Sequence, residues 1–173
     1  MTEPNIQEKV QAVFKETELL SIPVEVVSMA NFYGFEVYEL EMDDNTSGMI
    51  IVSNENIYDF DTKKVIVVNS KHSNSRKRFT IAHELGHYIL SDKPEKCYAH
   101  RESADSYNQE ERDVNSFASA LLMPKDDLEK FCKSIESDYS ADKVPFVLIN
   151  KVSERYNVSK SAAEVRLKKL NII

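Results

Sequence analysis

The sequence predicts an α+β fold in which a small three-stranded sheet, antiparallel or mixed, is packed by helices. Apolar residues recur at helical spacing before residue 34, and they alternate with period two from Phe35 onward. Helical spacing then returns in residues 79–90, which include the apolar stretch 81–90. We expect this stretch to form the central helix of the domain.

Two helices and a sheet are predicted before the central helix. The first helix carries Ile6, Val10, Val13 and Phe14, and the second begins at Pro23 and ends at Gly34, a favourable C′ residue. Strands are predicted over residues 35–40, 49–53 and 64–69. Because a turn-forming segment, residues 43–48, joins the first two, we expect the strands to pair in chain order as a meander.

The segments after the central helix are also predicted to be helical. Residues 95–108 have the composition of an irregular loop, and a helix follows from residue 108 to 123. Pro124 separates it from a further helix that contains Leu128 and Phe131. We expect residues 1–140 to form a catalytic core.

The tail, residues 141–173, is predicted to be a helical hairpin resembling a helix-turn-helix and packed on the core. Its helices cover residues 146–156 and 160–170, and Ser159 is expected to cap the second. Val165, Leu167 and Leu170 are expected on its buried side. Residues 151–169 contain six basic and two acidic residues, but contact with DNA is the less favoured interpretation.

Composition indicates a cytoplasmic protein without a membrane segment. The 173 residues carry a net charge of −7, which argues against nonspecific coating of nucleic acid. Cys97 and Cys132 lie far apart and form no metal-binding or disulfide pattern, as is typical of free thiols in a reducing compartment. The N-terminus lacks an apolar signal region, and no apolar run is long enough to span a bilayer.

The predicted central helix contains the pattern HExxH, formed by His83, Glu84 and His87. Positions four residues apart on a helix differ by about 40° around its axis, so both imidazoles can reach one metal ion. Solvated or core histidines are the plainer explanation, but an acidic residue between them on an apolar helix favours a zinc site. Peptide hydrolysis would then use Glu84 as general base.

A catalytic zinc site needs a third protein ligand, and the sequence leaves its identity open. Leu90 and Lys93 occupy the positions where a metzincin would have glycine and histidine, so that class is excluded. Glu111, with Asn115 one turn later to support an imidazole, is the best candidate ligand, and Glu110 is its rival. Glu111 is equally well explained as the N3 residue of a capping box that begins at Asn108.

Other site assignments from the sequence are less specific. Tyr98, His100 and Arg101 are candidates for stabilising an oxyanion or contacting substrate. An extended substrate could add as a strand to residues 65–69. His72 and His100 are expected to be solvated, and Arg76-Lys77-Arg78 is expected to form a solvated helix face.

Two segments resemble the ImmA/IrrE family of metallopeptidases. They run from Arg78 to His87, RFTIAHELGH, and from Glu111 to Pro124, ERDVNSFASALLMP. The resemblance implies a gluzincin-like, zincin-type fold with one Zn²⁺ held by His83, His87 and Glu111. Val114 departs from the alanine more common in the family, a change of methyl size on a packed face.

The resemblance also implies a regulatory rather than a digestive function. Relatives in phages, mobile elements and stress-response systems cleave or inactivate a helix-turn-helix repressor, often encoded nearby, and so derepress its genes. The expected activity is therefore that of a zinc endopeptidase whose protein substrate is such a repressor. The alternative is a non-cleaving module that sequesters the repressor or contacts DNA through its tail.

Overall fold

The chain folds as a three-stranded mixed sheet with helices packed around it. The computed structural model describes residues 1–57, 60, 62–91, 109–136 and 143–173. In chain order, the elements of these residues are α1 (Glu3–Thr17), α2 (Val26–Phe32), β1 (Glu36–Leu40), β2 (Gly48–Ile57), β3 (Thr62–Asn69), α3 (Asn74–Leu90), α4 (Gln109–Leu122), α5 (Lys125–Glu136), α6 (Val144–Tyr156) and α7 (Lys160–Lys169). The predicted α+β class is confirmed.

The sheet has the order β1-β3-β2, so the predicted meander is wrong. β3 is central: it pairs parallel with β1, where Val37 faces Ile66, and antiparallel with β2, where Ile50 faces Ile66. The physical reason lies in burial. β3 is buried throughout residues 65–69, as suits a strand covered on both faces, whereas β1 is partly or fully exposed along its length.

The central position of β3 also corrects the predicted docking edge. Residues 65–69 hydrogen-bond to a strand on each side, so their backbone cannot receive a further strand. In the part of the chain that the structure describes, β2 has a strand partner on one side only. A peptide that adds to this sheet therefore needs the outer edge of β2 or β1.

Helix α3 begins at a serine cap and lies against the sheet. The Ser73 hydroxyl accepts a hydrogen bond from the backbone N–H of Arg76 at 3.4 Å. A Cβ at Gly48, the first residue of β2, would lie 2.5 Å from Thr80 Cγ2 and 2.6 Å from the Val67 carbonyl oxygen. Glycine at this position therefore lets the helix and the sheet approach closely.

The basic residues at the start of α3 bind neighbouring elements, so the predicted solvated face holds for the exposed Arg76 but not for the half-buried Lys77 and Arg78. Arg76 donates to the Ser47 hydroxyl at 2.9 Å, and Lys77 lies 2.6 Å from a Glu39 carboxylate oxygen. The third, Arg78, donates to the Val24 carbonyl at 2.8 Å. These contacts outweigh the unfavourable placement of cations at a helix N-terminus.

The first two helices agree with the sequence in position, although α2 begins at Val26, three residues later than predicted. Gly34 follows α2 with φ +83°, the left-handed conformation expected of a C′ glycine. None of the described helices combines the length and apolar character needed to cross a membrane. The domain boundary predicted at residue 140 lies outside the described residues.

The tail helices share their buried side chains with the core. Leu148, Val152 and Tyr156 of α6 and Ala163 and Leu167 of α7 belong to the same buried cluster as Phe117 and Leu121 of α4. Ser159 caps α7 as predicted, accepting from the N–H of Ala162 at 3.1 Å. The helical hairpin is therefore packed against the rest of the fold.

Arg166 is fully buried, whereas its neighbour Val165 is 60% exposed, so the predicted burial of Val165 is wrong. The Arg166 guanidinium reaches Glu3 of α1 at 2.7 Å, and its Nε donates to the Met123 carbonyl at 3.3 Å. These partners offset the cost of burying the cation. Burial nevertheless lowers the pKa of Arg166. Arg166 is fully covered and cannot reach DNA in this structure.

We predict that Glu3→Ala destabilises the fold by about 3 kcal/mol, because it leaves the buried Arg166 cation without its carboxylate. Glu164→Ala is the matched control: Glu164 pairs with Lys168 on the surface at 2.6 Å, and its loss should cost less than about 0.5 kcal/mol. Urea denaturation measures both. Equal losses of stability in the two variants would contradict a stabilising ion pair between Glu3 of α1 and Arg166 of α7.

The same variant should change how stability depends on pH. Burial raises the pKa of Glu3, but hydrogen bonds from Lys169, Arg166 and Gln7 outweigh it and hold the pKa below the ordinary 4.5. The stability that this carboxylate contributes is therefore complete above pH 4.5 and is lost as the pH falls through the lowered pKa. Glu3→Ala should lose less stability than the wild type over that range.

Candidate metal centre

Three side chains from two helices meet at one point. His83 and His87 come from α3, and Glu111 comes from the first turn of α4. The Nε2 atoms of the two imidazoles lie 3.1 Å apart. The Glu111 carboxylate places one oxygen 3.5 Å from Nε2 of His83 and the other 3.3 Å from Nε2 of His87. The helical spacing and the α3–α4 packing thus bring together the three predicted ligands.

These distances fit a tetrahedral metal ion. Zinc binds imidazole nitrogen and carboxylate oxygen at about 2.0–2.2 Å, which places neighbouring ligand atoms of a tetrahedron roughly 3.3 Å apart. The three observed separations, 3.1, 3.3 and 3.5 Å, lie close to that value. The side chains of both histidines are less than 10% exposed and that of Glu111 is 14% exposed. This buried group has the donor set and spacing to bind a metal ion.

Asn115 supports one of the imidazoles from behind. Its Oδ1 lies 3.0 Å from Nδ1 of His83, and an amide oxygen only accepts, so Nδ1 must carry the proton and donate it. Nε2 of His83 is then left with its lone pair directed toward His87 and Glu111. The predicted contact between Asn115 and a histidine is present, and it sets the ring in the orientation and tautomer that a metal ligand needs.

Glu110, the rival ligand, lies on the other side of His87. Its Oε1 is 3.9 Å from Nδ1 of His87, the nitrogen that faces away from the group, and its side chain is 62% exposed. The approximately 100° between successive residues of a helix separates Glu110 from the Glu111 face. The structure therefore groups Glu111, and not Glu110, with the two Nε2 atoms.

Close packing of α3 on α4 brings the carboxylate to the imidazoles. A Cβ at Gly86 would lie 3.0 Å from Val114 Cγ1 and 3.1 Å from Phe117 Cδ1, so the helices are in contact at this glycine. Val114, the residue that departs from the family pattern, fills the space beside Gly86. It is an ordinary buried core residue and lies outside the ligand group.

Glu84 follows the first histidine on α3 and is only 1% exposed. Burying a carboxylate costs free energy unless opposite charge or hydrogen bonds compensate it. A cation bound by the adjacent histidines would supply such compensation. The burial of Glu84 is thus consistent with a charged group at this point.

Two surface cavities are lined in part by residues of this site. One, of about 360 Å³, is lined by His87, Glu110, Asp113 and Val114 among others. Burial raises the pKa of Asp113, but the N-terminal ammonium at 2.6 Å and Gln109 outweigh it, so its pKa stays below the ordinary value. The other, of about 440 Å³, includes Asn115 in its lining.

Several predicted residues lie outside the metal group or outside the described chain. Tyr98, His100, Arg101 and the proposed capping residue Asn108 are not among the described residues. His72 is half-buried in the connector before α3 and does not join the group. The sequence analysis missed the second cavity, because it depends on the contact between α3, α4 and the tail, which no local pattern reports.

Comparison with known proteins adds a family and a fold. A family model described as the IrrE N-terminal-like domain, Peptidase_M78, matches residues 34–168. A solved structure of a Mycobacterium tuberculosis transcriptional regulator is similar with a TM-score of 0.55 and 15% identity, over 92% of this chain and 45% of that one. At this identity the likeness shows the fold alone. Comparison with curated proteins finds no match.

We predict that Asn115→Ala lowers zinc affinity about 10- to 100-fold, because His83 loses the acceptor that fixes its tautomer. Asn115→Asp keeps an acceptor oxygen and should retain tight binding. The control is Ser116→Ala on the same helix, where the hydroxyl donates only to the Arg112 carbonyl at 2.7 Å. Competition with a fluorescent chelator gives the dissociation constants, and equal affinity for Asn115→Ala and the wild type would contradict the assigned role.

Proposed function

The chain belongs to the IrrE N-terminal-like domain family, Peptidase_M78, and on this premise we propose that it is a zinc-dependent endopeptidase that cleaves a helix-turn-helix transcriptional repressor. The match covers both motifs, so the family resemblance inferred from the sequence is confirmed. The observation that carries the proposal is the buried group of His83, His87 and Glu111, whose ligand atoms are spaced like three corners of a tetrahedron.

Zinc is the metal that best suits this group. Two imidazole nitrogens and one carboxylate oxygen in tetrahedral spacing are a common catalytic zinc set, with the fourth position left for water or substrate. Magnesium and calcium prefer more ligands, mainly oxygens. When bound, zinc supplies a Lewis acid that polarises the substrate carbonyl and makes water nucleophilic near neutral pH.

The residues of the chain would divide the remaining work between them. The Glu84 carboxylate takes a proton from the attacking water and passes it to the nitrogen of the departing amine, as a general base and then a general acid. Asn115 holds His83 in the tautomer whose Nε2 faces the ligand group. The stabiliser of the oxyanion remains one of Tyr98, His100 and Arg101, as predicted from the sequence.

An extended substrate is proposed to lie along the outer edge of β2. This strand begins at Gly48, which contacts Thr80 one turn before His83, so its edge leads toward the metal group. Backbone hydrogen bonds along a strand edge hold a peptide without requiring a particular sequence. This edge replaces β3, whose two sides are already paired.

The regulatory context supports a repressor as the substrate. The family resemblance implies such a target, and the structurally similar Mycobacterium tuberculosis protein is titled a transcriptional regulator. The chain spans less than half of that protein, so this support concerns the kind of process and not the particular target. We place the reaction in the cytoplasm, where a repressor acts.

The alternative is a module that sequesters the repressor without cleaving it. Such a module would bind the repressor through the same surface, but it would not need the Glu84 carboxylate. The second alternative, DNA contact through the tail, is weakened by the burial of Arg166 and by the net charge of −7.

We predict that Glu84→Gln retains one zinc per chain but abolishes cleavage of the repressor, since an amide cannot take the proton. General acid–base groups of this kind contribute about 10²- to 10⁴-fold to the rate. The assay incubates the zinc-loaded chain with the helix-turn-helix protein encoded beside its gene, followed by mass spectrometry of the products. Glu8→Gln is the matched control: Glu8 is exposed on α1, away from the metal group and from β2, and the variant should cleave like the wild type.

Expression of a reporter gene under the repressor distinguishes the two hypotheses. If Glu84→Gln fails to derepress the reporter, cleavage is the mechanism. Full derepression by Glu84→Gln, with intact repressor in the cell, would overturn the peptidase and favour sequestration.

A further inference from the structure

We propose that the cavity between α3, α4 and the tail binds one large apolar side chain of the substrate, next to the bond that is cut. This inference rests on the proposed peptidase function and adds its specificity. It gives the helix-turn-helix-like tail a function in substrate selection rather than in reading DNA. The residues that determine specificity would be Phe79, Val158, Ala162 and Val165.

The cavity has the size and lining of a side-chain pocket. It encloses about 440 Å³, within the roughly 300–1,000 Å³ typical of small-ligand sites. Its apolar lining comes from Phe79 on α3 and from Val158, Ala162 and Val165 in the tail. Serine hydroxyls complete the rim, so the cavity favours an apolar group with few polar partners.

The cavity is linked to the metal group through Asn115. This residue belongs to the cavity lining, and its Oδ1 accepts the hydrogen bond from Nδ1 of His83 at 3.0 Å. Phe79 lies one helical turn before His83, and the two ring centroids are 6.4 Å apart. A side chain in the cavity would therefore belong to a residue close to the reacting carbonyl.

The start of β2 is linked to the cavity lining by a hydrogen bond. Arg76 is the charged residue in the lining, and it donates to Ser47, the residue immediately before β2, at 2.9 Å. Successive side chains of an extended peptide point to opposite sides. A peptide paired with β2 would thus direct one side chain toward α3 and the tail while the next points away.

Val165 is the position from which this idea is best tested. It is 60% exposed although its neighbours Arg166 and Leu167 are fully buried, so substitution there should not disturb the core. Phe146 on α6 is a matched control because it is 73% exposed, apolar and outside the cavity lining. Val165→Asp and Phe146→Asp then make the same change in charge and polarity.

The experiment measures binding rather than turnover. The probes are short peptide hydroxamates that chelate zinc and carry Leu or Gly beside the hydroxamate. In one series this residue precedes the hydroxamate, and in the other series it follows it. Titration calorimetry with the zinc-loaded full chain gives the affinity ratio of each pair. In one series, Leu should bind about 10- to 100-fold more tightly than Gly, the value of burying one such side chain.

Val165→Asp should lose most of this preference, and Phe146→Asp should keep it. A second variant, Ser119→Leu, fills the cavity from α4 and should also lose the preference while it retains the affinity for the Gly probe. Thermal unfolding shows whether each variant is folded. Absence of a Leu preference in both series, or a preference that survives Val165→Asp and Ser119→Leu, would overturn the assignment.

This experiment tests the pocket separately from the proposed peptidase activity, because hydroxamate binding does not require proton transfer by Glu84. A chain that shows the preference but cleaves nothing would contradict the peptidase and support the pocket. A chain that cleaves its repressor without this preference would contradict the pocket alone.

Discussion

The close approach of α3 and α4 at Gly86 is the constraint on which the site depends. With no Cβ at this position, Val114 and Phe117 of α4 can pack directly on the helix that carries both histidines. The first turn of α4 then lies beside His83 and His87, within 3.5 Å for the Glu111 carboxylate. A wider separation of the helices would leave two imidazoles without a third ligand, and a pair is too few for a catalytic zinc site.

The rest of the fold holds α3 in place against this contact. Gly48 allows β2 to approach Thr80, and the basic residues at the start of α3 bind Ser47, Glu39 and the Val24 carbonyl. On the far side, Arg166 joins the tail to α1 and to the end of α4 through Glu3 and the Met123 carbonyl. These interactions keep the supporting residues rigid, which preorganises the donor atoms before any metal or substrate binds.

Local patterns in the sequence predicted what depends on one helix at a time. Helical spacing placed His83 and His87 on one face, and the same spacing placed Asn115 one turn after Glu111. The order of the strands could not be derived in this way. The turn between β1 and β2 favoured pairing of these two strands, whereas β3, which is buried over residues 65–69, lies between them. Likewise, no local pattern could predict that Arg166 is buried, since its partner Glu3 lies 163 positions away along the chain.

Location of the metal tests the central claim most directly. Crystals of the zinc-loaded chain, measured on both sides of the zinc absorption edge, would show the ion by its anomalous signal. The account predicts one peak about 2.0–2.2 Å from Nε2 of His83, from Nε2 of His87 and from a Glu111 carboxylate oxygen. A peak coordinated by other side chains, or a Glu111 carboxylate turned away from both imidazoles, would contradict it.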